Sequence, residues 1–149
     1  MRLCRYDDNR VGLVLDDGIH DVTAALAALP KWSYPLPAFD PLIAHLPDLR
    51  AAMEAEAQRS PAIAVDRVKL LSPVANPGKL IAAPVNYRKH LEEVLADKQI
   101  HHGNLINEIH RAGLFLKATS SLAGAGEGVR LVHTDRRNDH EVEIAVVIG

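Results

Sequence analysis

The segment EVEIAVVIG, at residues 141–149, constrains the fold more than any other part of this 149-residue chain. Its valines and isoleucines are β-branched and favour a strand. Beyond its two glutamates the side chains are apolar on both faces, as in a strand that runs into a core. The segment therefore predicts either a central strand that ends with the chain or a domain that is cut in its middle.

The remaining pattern predicts an α+β chain in two parts. Three short strands separated by turn clusters fill the first 22 residues and predict a small antiparallel meander. Alanine-rich helical segments follow over residues 23–29 and 42–59, with a proline-rich loop between them. A Pro/Gly-rich hinge then changes the character of the sequence. We place the boundary near residue 70, which gives an N-terminal domain, residues 1–70, and a second part, residues 71–149.

The second part alternates short apolar runs with polar segments. LIAAPV (80–85), LFLK (114–117) and VRLV (129–132) predict strands, and NYRKHLEEVLADKQ (86–99) predicts an amphipathic helix. Residues 99–113 are polar and fit either a loop or a short helix. A further strand over residues 141–149 completes this series.

Composition excludes several classes of protein. The chain is 48% hydrophobic and 24% charged, as in ordinary globular domains, and its formal net charge is −2. The near-neutral charge and the 4% aromatic content argue against nucleic-acid binding by a basic surface or by base stacking. Cys4 is the single cysteine, and no apolar run approaches the roughly 20 residues that span a bilayer. We therefore predict a cytoplasmic protein without a membrane or nucleic-acid partner.

Glu141 and Glu143 form the first candidate site. On a strand, residues i and i+2 point to the same face, so the two carboxylates would lie side by side. They would repel each other unless water solvates an exposed face or a hard divalent cation binds between them. The apolar residues that follow favour the cation, which would need at least one more oxygen ligand.

His90 and Glu93 form the second candidate site. Their i, i+3 spacing puts both on one face of the predicted helix. A carboxylate beside an imidazole fixes its tautomer and raises its basicity, so that the histidine can act as a general base toward water. The alternative is a surface His–Glu pair on an amphipathic helix.

Lys117 ends a predicted strand beside a Ser/Thr-rich loop, where it could bind a substrate carboxylate or simply face solvent. The GAGEG run at residues 124–128 precedes a predicted strand and lacks a Gly-Lys-Ser/Thr sequence. It therefore predicts a hairpin turn rather than a phosphate-binding loop. His101 and His102 fit a polar loop better than a ligand pair.

Three segments occur together in a recognisable order. KLIAAPVNYRKHLEE, LFLKATSSLAGAGEGVRL and DHEVEIAVVIG resemble the fumarylacetoacetate hydrolase family over about residues 70–149. Residues 1–70 resemble the variable N-terminal domain of many members. The resemblance implies a catalytic domain with a mixed, rolled β-sheet, a homodimer, and a site for Mg²⁺ or Mn²⁺, in some members Ca²⁺.

The resemblance also implies roles for the candidate residues. Glu141 and Glu143 match the metal ligands of the family, and His90 with Glu93 matches its water-activating pair. Lys117 matches a lysine near the substrate. Members act on 2-oxo or 1,3-diketo acids and cleave C–C bonds by hydrolysis, decarboxylate, isomerise or dehydrate. The metal chelates the oxo acid and stabilises the developing negative charge.

Two departures from the family pattern are small: Ala118 follows Lys117 where proline is common, and Pro84 replaces a small residue. A third is larger, because the family's third metal ligand, an aspartate, lies beyond this sequence. We therefore predict the N-terminal half of a metal-dependent hydrolase of an acylpyruvate-like acid. The alternatives are an isomerase or decarboxylase that uses the same site, and a half-domain that binds a partner or small acid without catalysis.

Overall fold

The chain has an α+β architecture, which a computed structural model describes for residues 1–97 and 108–149. It divides into two compact units. The first comprises Met1–Pro77 and Leu122–Gly149, and the second comprises Gly78–Ser121. Each unit is described below by itself.

The first unit contains five strands and two α-helices. The strands are β1 (Leu3–Tyr6), β2 (Arg10–Leu15), β3 (Gly18–Asp21), β4 (Ala62–Ile63) and β5 (Leu70–Leu71). The helices are α1 (Pro41–Ala44) and α2 (Leu46–Ala57), and 3₁₀ turns cover Thr23–Ala28 and Val65–Arg67. The meander and the longer helix are therefore where the sequence predicts them, while the segment predicted as a helix over 23–29 adopts the tighter 3₁₀ form.

The five strands form one antiparallel sheet in the order β4-β3-β2-β1-β5. Its two central hairpins join strands that are adjacent in sequence, and the turn of each hairpin contains residues that suit its conformation. Asp7 and Asn9 have positive φ values of 45° and 65° between β1 and β2, a conformation that Asp and Asn tolerate better than most residues. Gly18 starts β3 at φ 143°, where a Cβ atom would come within 2.7 Å of the Ile63 carbonyl oxygen. Local turn chemistry therefore sets the register of the meander.

The hydrophobic core lies between the sheet and α2. Val11 and Leu13 alternate along β2 and point to the same face. Leu49, Met53 and Ala57 follow one another at spacings of four along α2 and form the apolar stripe that covers this face. The core is completed by Val22, Ala25 and Leu42.

Asp40 joins two segments that are distant in sequence. One carboxylate oxygen, Oδ1, accepts from the backbone N–H groups of Leu42 (3.0 Å) and Ile43 (3.4 Å) and caps α1. The other oxygen, Oδ2, accepts from the N–H groups of Ala75 (2.6 Å) and Asn76 (3.3 Å). The carboxylate is buried, so these four donors replace the water it has lost. It thus fixes residues 75–76 to the start of α1.

The GAGEG run forms a turn that packs against β5. The Glu127 backbone N–H donates to the Gly124 carbonyl (2.9 Å), and the Gly124 N–H donates to Glu127 Oε2 (2.6 Å). The Gly126 N–H donates to the Leu70 carbonyl oxygen (2.8 Å). A Cβ atom on Gly124 would lie 2.3 Å from Leu71 Cα, so only glycine permits this approach. The prediction of a turn is confirmed, but no hairpin is formed around it.

The prediction of strands over residues 129–132 and 141–149 is wrong. Neither segment has regular secondary structure, and neither belongs to a sheet formed by the described residues. Apolar side chains such as Val129, Val142 and Ile144 are exposed there. A β-branched sequence lowers the cost of an extended backbone, but a strand is stable only when its N–H and C=O groups pair with a neighbour.

The second unit contains a two-stranded sheet and short helices. Its strands are β6 (Leu80–Ala82) and β7 (Phe115–Lys117), which pair antiparallel with Leu80 opposite Lys117. The helices among its described residues, 78–97 and 108–121, are α3 (Arg88–Ala96) and α4 (Ile109–Ala112), and a 3₁₀ turn covers Thr119–Ser121. The strands predicted from LIAAPV and LFLK and the helix predicted from NYRKHLEEVLADKQ are therefore present in shortened form.

The sequence left open whether the polar segment 99–113 forms a loop or a short helix, and the structure describes the end of this segment. Its end forms α4, which stops at Gly113 with φ 67°. The expectation of a polar loop at His101 and His102 lies outside the described residues. Within residues 1–97 and 108–149, no helix is long and apolar enough to cross a membrane.

Candidate functional site

His90 and Glu93 lie one helical turn apart on α3. The helix begins directly after Tyr87, whose backbone is extended at φ −138° and ψ 148°. His90 is half-buried in its first turn, and Glu93 is exposed. Val94 is the buried residue of the helix, so the polar pair lies beside an anchored position rather than at a frayed end. The predicted i, i+3 arrangement is therefore present in the structure.

Tyr87 contacts His90 through its ring. The two ring centroids are 5.3 Å apart and the ring planes differ by 29°, which is a stacked pair. The sequence analysis missed this contact. The signal that could have found it is an aromatic residue three positions before the candidate base, at the start of a predicted helix.

Lys117 is the last residue of β7 and is exposed. Its predicted position at the end of a strand is confirmed, and the Ser/Thr-rich loop after it begins with a 3₁₀ turn. In that turn the Ser121 hydroxyl donates to the Ala118 carbonyl (2.7 Å). Lys117 and the pair on α3 belong to the same unit.

Glu141 and Glu143 belong to the first unit, in the irregular segment after the glycine turn. Both side chains are exposed. The prediction that they share one face rested on a strand, and these residues belong to no strand in the part of the chain that the structure describes. The structure therefore places His90 and Glu93 on one helix of the second unit, and Glu141 and Glu143 in an irregular segment of the first unit.

The two carboxylates of Glu141 and Glu143 are chemically suited to bind a divalent cation. Carboxylate oxygens are the ligands that Mg²⁺ and Mn²⁺ prefer, and Glu141 and Glu143 supply them two residues apart. Among the residues that the structure describes, no three His, Cys, Asp or Glu side chains are grouped closely enough to hold a metal ion. The two glutamates thus represent part of a coordination sphere.

A cleft on the first unit is unrelated to these residues. It measures about 340 Å³, lies open on the first unit, and is lined by Arg2, Asp16 and Glu54 among others. None of the five candidate residues lines it. This cleft therefore gives no support to the candidate residues.

Comparison with known proteins decides the family. Residues 79–149 match the family described as fumarylacetoacetate (FAA) hydrolase C-terminal. These residues belong to the fumarylacetoacetate hydrolase family. The match contains all five candidate residues, and it begins one residue after the second unit starts.

Similar proteins extend the likeness to the whole chain. The maleylpyruvate hydrolase of Aquipseudomonas alcaligenes is 58% identical over 151 aligned residues, which include 100% of this chain and 53% of that protein. This chain therefore spans about half the length of that relative. The identity covers the N-terminal sheet as well as the family segment.

Two solved structures resemble the chain in fold. The crystal structure of maleylpyruvate hydrolase from Sphingobium sp. SYK-6 has a TM-score of 0.57 and 36% identity, and covers 83% of this chain and 40% of its own. The structure of that enzyme in complex with manganese(II) ion and pyruvate has a TM-score of 0.54 and 35% identity, and covers 83% and 39%. The α+β fold of the chain is thus similar to that of a hydrolase in this family.

Proposed function

We propose that this chain forms the N-terminal half of an enzyme that hydrolyses an acylpyruvate, with maleylpyruvate as the first substrate to test. The observation that carries the proposal is the 58% identity, along the whole chain, to the maleylpyruvate hydrolase of Aquipseudomonas. The Sphingobium structure with manganese(II) and pyruvate supports the same chemistry, because pyruvate is a product of acylpyruvate hydrolysis.

The reaction breaks one C–C bond and consumes one water molecule. The oxygen of water adds to the acyl carbonyl carbon, and the bond from that carbon to the CH₂ group of the pyruvate part breaks. The electron pair of this bond leaves with the CH₂ carbon, which takes up a proton. Maleylpyruvate then gives maleate and pyruvate in equal amounts.

His90 is the residue proposed to take the proton from water. Glu93 lies one turn further along α3, within reach to orient the imidazole and stabilise its protonated form. The half-buried position of His90 limits competition from bulk water around its ring. General-base catalysis of this kind contributes about 10²–10⁴ to a rate.

Lys117 is proposed to bind the substrate carboxylate. It follows two apolar residues of β7, and its side chain is exposed, so its ammonium group can meet a ligand from solvent. A lysine presents a compact charge on a flexible stem, which suits a small carboxylate that enters and leaves in each cycle.

Glu141 and Glu143 are proposed to hold the divalent cation, Mg²⁺ or Mn²⁺. When bound, the cation polarises the oxo group of the substrate and stabilises the negative charge that develops on bond cleavage. The chemistry of the two carboxylates supports this assignment. The manganese(II) ion in the Sphingobium complex favours Mn²⁺ as the first metal to test, with Mg²⁺ and Ca²⁺ as comparisons.

The proposal has further features, of which the first two follow from the family and the last two from the composition and pattern of the sequence. They are a rolled β-sheet in the complete catalytic domain, a homodimer, a cytoplasmic location, and a domain division into residues 1–70 and 71–149. Light scattering of the purified protein measures the dimer directly. Intact mass of the protein isolated from its own cell measures the native length of the chain.

The test of the function is product analysis. The protein is supplied with Mn²⁺ and maleylpyruvate, and pyruvate and maleate are quantified by chromatography. We expect both products in a 1:1 ratio, with release that stops on addition of a chelator and resumes with Mn²⁺. Release of CO₂ or of an isomer would instead indicate the decarboxylase or isomerase alternative. No turnover in a protein of native length would indicate a non-catalytic half-domain.

Neighbouring glutamates on α3 provide a matched control. We expect Glu93→Gln to lower kcat by about tenfold or more, because the imidazole loses the carboxylate that orients it. Glu92→Gln changes the same charge in the same helix at an exposed position outside the proposed pair, so its kcat should change less than about twofold. Equal losses in the two variants would contradict the assignment of Glu93.

A further inference from the structure

Tyr87 stacks on His90, the candidate base, but is not one of the five candidate site residues. The ring centroids are 5.3 Å apart and the planes are 29° from parallel. Tyr87 precedes the first residue of α3, and His90 lies in its first turn. Tyr87 is 48% exposed, so its ring is not held there by burial alone.

The contact between Tyr87 and His90 is a stack of ring on ring. The Tyr87 ring covers a face of the imidazole, whereas both ring nitrogens lie on its edge and exchange protons in the ring plane. The terminal torsion of a histidine is broad, so an imidazole at a half-exposed position has no strong preference of its own. A ring stacked on one face restricts this rotation without competing for either nitrogen.

The backbone conformation just before Tyr87 also indicates that the surrounding structure fixes the position of this residue. Val85 has φ 39°, in the left-handed region that a β-branched residue rarely adopts. Strained residues of this kind persist where the surrounding structure requires them, and they concentrate at functional sites. The strained turn lies between β6 and α3, directly before the residue that stacks on His90.

We propose that Tyr87 is a positioning residue, which holds the imidazole of His90 in the orientation needed to take a proton from water. The inference rests on the proposed function, because His90 must be the base for the orientation to matter. Its aromatic ring carries the effect, and its hydroxyl does not. Tyr87 acts through His90 and makes no contact with the reacting atoms.

The first test needs no turnover. In NMR spectra of the protein, a stacked tyrosine ring shifts the His90 ring protons upfield through its ring current. We expect this shift to remain in Tyr87→Phe and to disappear in Tyr87→Leu and in Tyr87→Thr, which suits the extended backbone at this position. Tyr34→Leu removes an exposed tyrosine of the other unit and should leave the His90 signals unchanged. An unshifted His90 in the wild type would overturn the proposal.

The second test separates positioning from binding. With Mn²⁺ and maleylpyruvate, we expect Tyr87→Leu to lower kcat by about three- to tenfold, in line with the strength of an aromatic pair, with KM unchanged within about twofold. Tyr87→Phe should restore kcat to within about twofold of the wild type. A rise in KM without loss of kcat, or a failure of Tyr87→Phe to restore kcat, would overturn the proposal.

His90→Gln distinguishes this proposal from the one it rests on. If His90→Gln and Tyr87→Leu both lower kcat, with the larger loss in His90→Gln, both proposals stand. If His90→Gln abolishes turnover while Tyr87→Leu has no effect on kcat, the positioning role alone is wrong. If His90→Gln leaves kcat unchanged, the role of His90 as the base is wrong, and the positioning role is wrong with it.

Discussion

Val11, Leu49 and Met53 are at most 2% exposed, whereas Val142 and Ile144 are at least 87% exposed, although all five are aliphatic or thioether side chains of similar size. The difference lies in what surrounds their backbones. β2 pairs with a strand on each side and α2 covers one face of the sheet, while residues 141–149 pair with no strand among the described residues. A hydrophobic sequence therefore specifies what can be buried, and long-range pairing decides what is buried.

The comparison also separates stability from chemistry. The core of the chain lies in the N-terminal sheet and α2, and the five candidate site residues lie in the family segment, on α3, on β7 and in the irregular segment. Changes in one region should leave the property of the other intact. Four predictions follow from these comparisons, the first at the candidate site and the other three on the stability of the first unit.

The largest effect is expected at His90. Substitution His90→Gln keeps a polar side chain of similar reach but removes the base, so kcat on maleylpyruvate should fall by about 10²–10⁴-fold. The melting temperature should stay within about 2 °C, because the residue is half-buried and lies outside the core. Steady-state kinetics and calorimetry on the same sample measure both. A large drop in melting temperature would show that site and core are not separable here.

The next effect is expected at Met53 in the core. Met53→Ala leaves a cavity between α2 and the sheet and should lower the free energy of unfolding by about 2–5 kcal/mol. Ile144→Ala removes an exposed aliphatic side chain and should change it by less than about 0.5 kcal/mol. Urea unfolding followed by circular dichroism measures both values. Equal losses would mean that Ile144 is buried in solution, and the comparison would be broken.

An intermediate effect is expected at the glycine turn. In Gly124→Ala the new Cβ atom would lie 2.3 Å from Leu71 Cα, and since backbone faces backbone the turn must move off β5. We expect a loss of about 1–3 kcal/mol in the free energy of unfolding. Gly128→Asn is the control, because this residue has φ 72° with open space around it and asparagine tolerates that conformation. A larger loss in the control would contradict the role of close packing.

The smallest effect is a pH dependence that belongs to the N-terminal unit. His20 is buried, its Nε2 lies 3.0 Å from Asp17 Oδ1, and its Nδ1 lies 2.7 Å from the Ser60 carbonyl oxygen. The Asp17 carboxylate and then the Ser60 carbonyl raise the pKa of His20 above its ordinary value near 6.5, because both accept from the protonated ring. The histidine in turn lowers the pKa of Asp17.

The sign of this dependence follows from the raised pKa of His20. Its contribution to stability is complete below about pH 6.5 and is lost as the pH rises through the higher pKa of the folded state. We therefore expect the free energy of unfolding to decline as the pH rises above about 6.5 in the wild type and to be flatter in His20→Gln. Unfolding curves between pH 6 and 9 measure this difference. Parallel pH profiles in the two proteins would contradict it.

Much of the N-terminal fold is predictable because its contacts are local. The meander follows from turn residues between short strands, and α2 follows from a four-residue spacing of apolar side chains. The contacts of Asp40 with Ala75 and of Gly126 with Leu70 join residues 35 or more positions apart, and a single sequence offers no spacing that reveals them. The prediction of strands over 129–132 and 141–149 was wrong for the same reason, because a strand needs a pairing partner that is usually distant in sequence.

The candidate site is predictable in part. The helix that carries His90 and Glu93 is confirmed, as is the strand that ends at Lys117, because both depend on local pattern. The roles of these residues, and those of Glu141 and Glu143, stay predictions that the assays above test. The contact of Tyr87 with His90 follows a turn through Val85 at positive φ, a conformation that no propensity for valine would indicate.

The packing of the glycine turn on β5 also bears on how the sheet behaves at high concentration. An edge strand with unpaired N–H and C=O groups is a template for another chain, and aggregation often begins there. In this sheet both edge strands are two residues long, and the Leu70 carbonyl of β5 is already occupied by the Gly126 N–H. The glycine turn thus covers one edge of the sheet, and this reduces the capacity of the sheet to bind a second copy of the chain by strand addition.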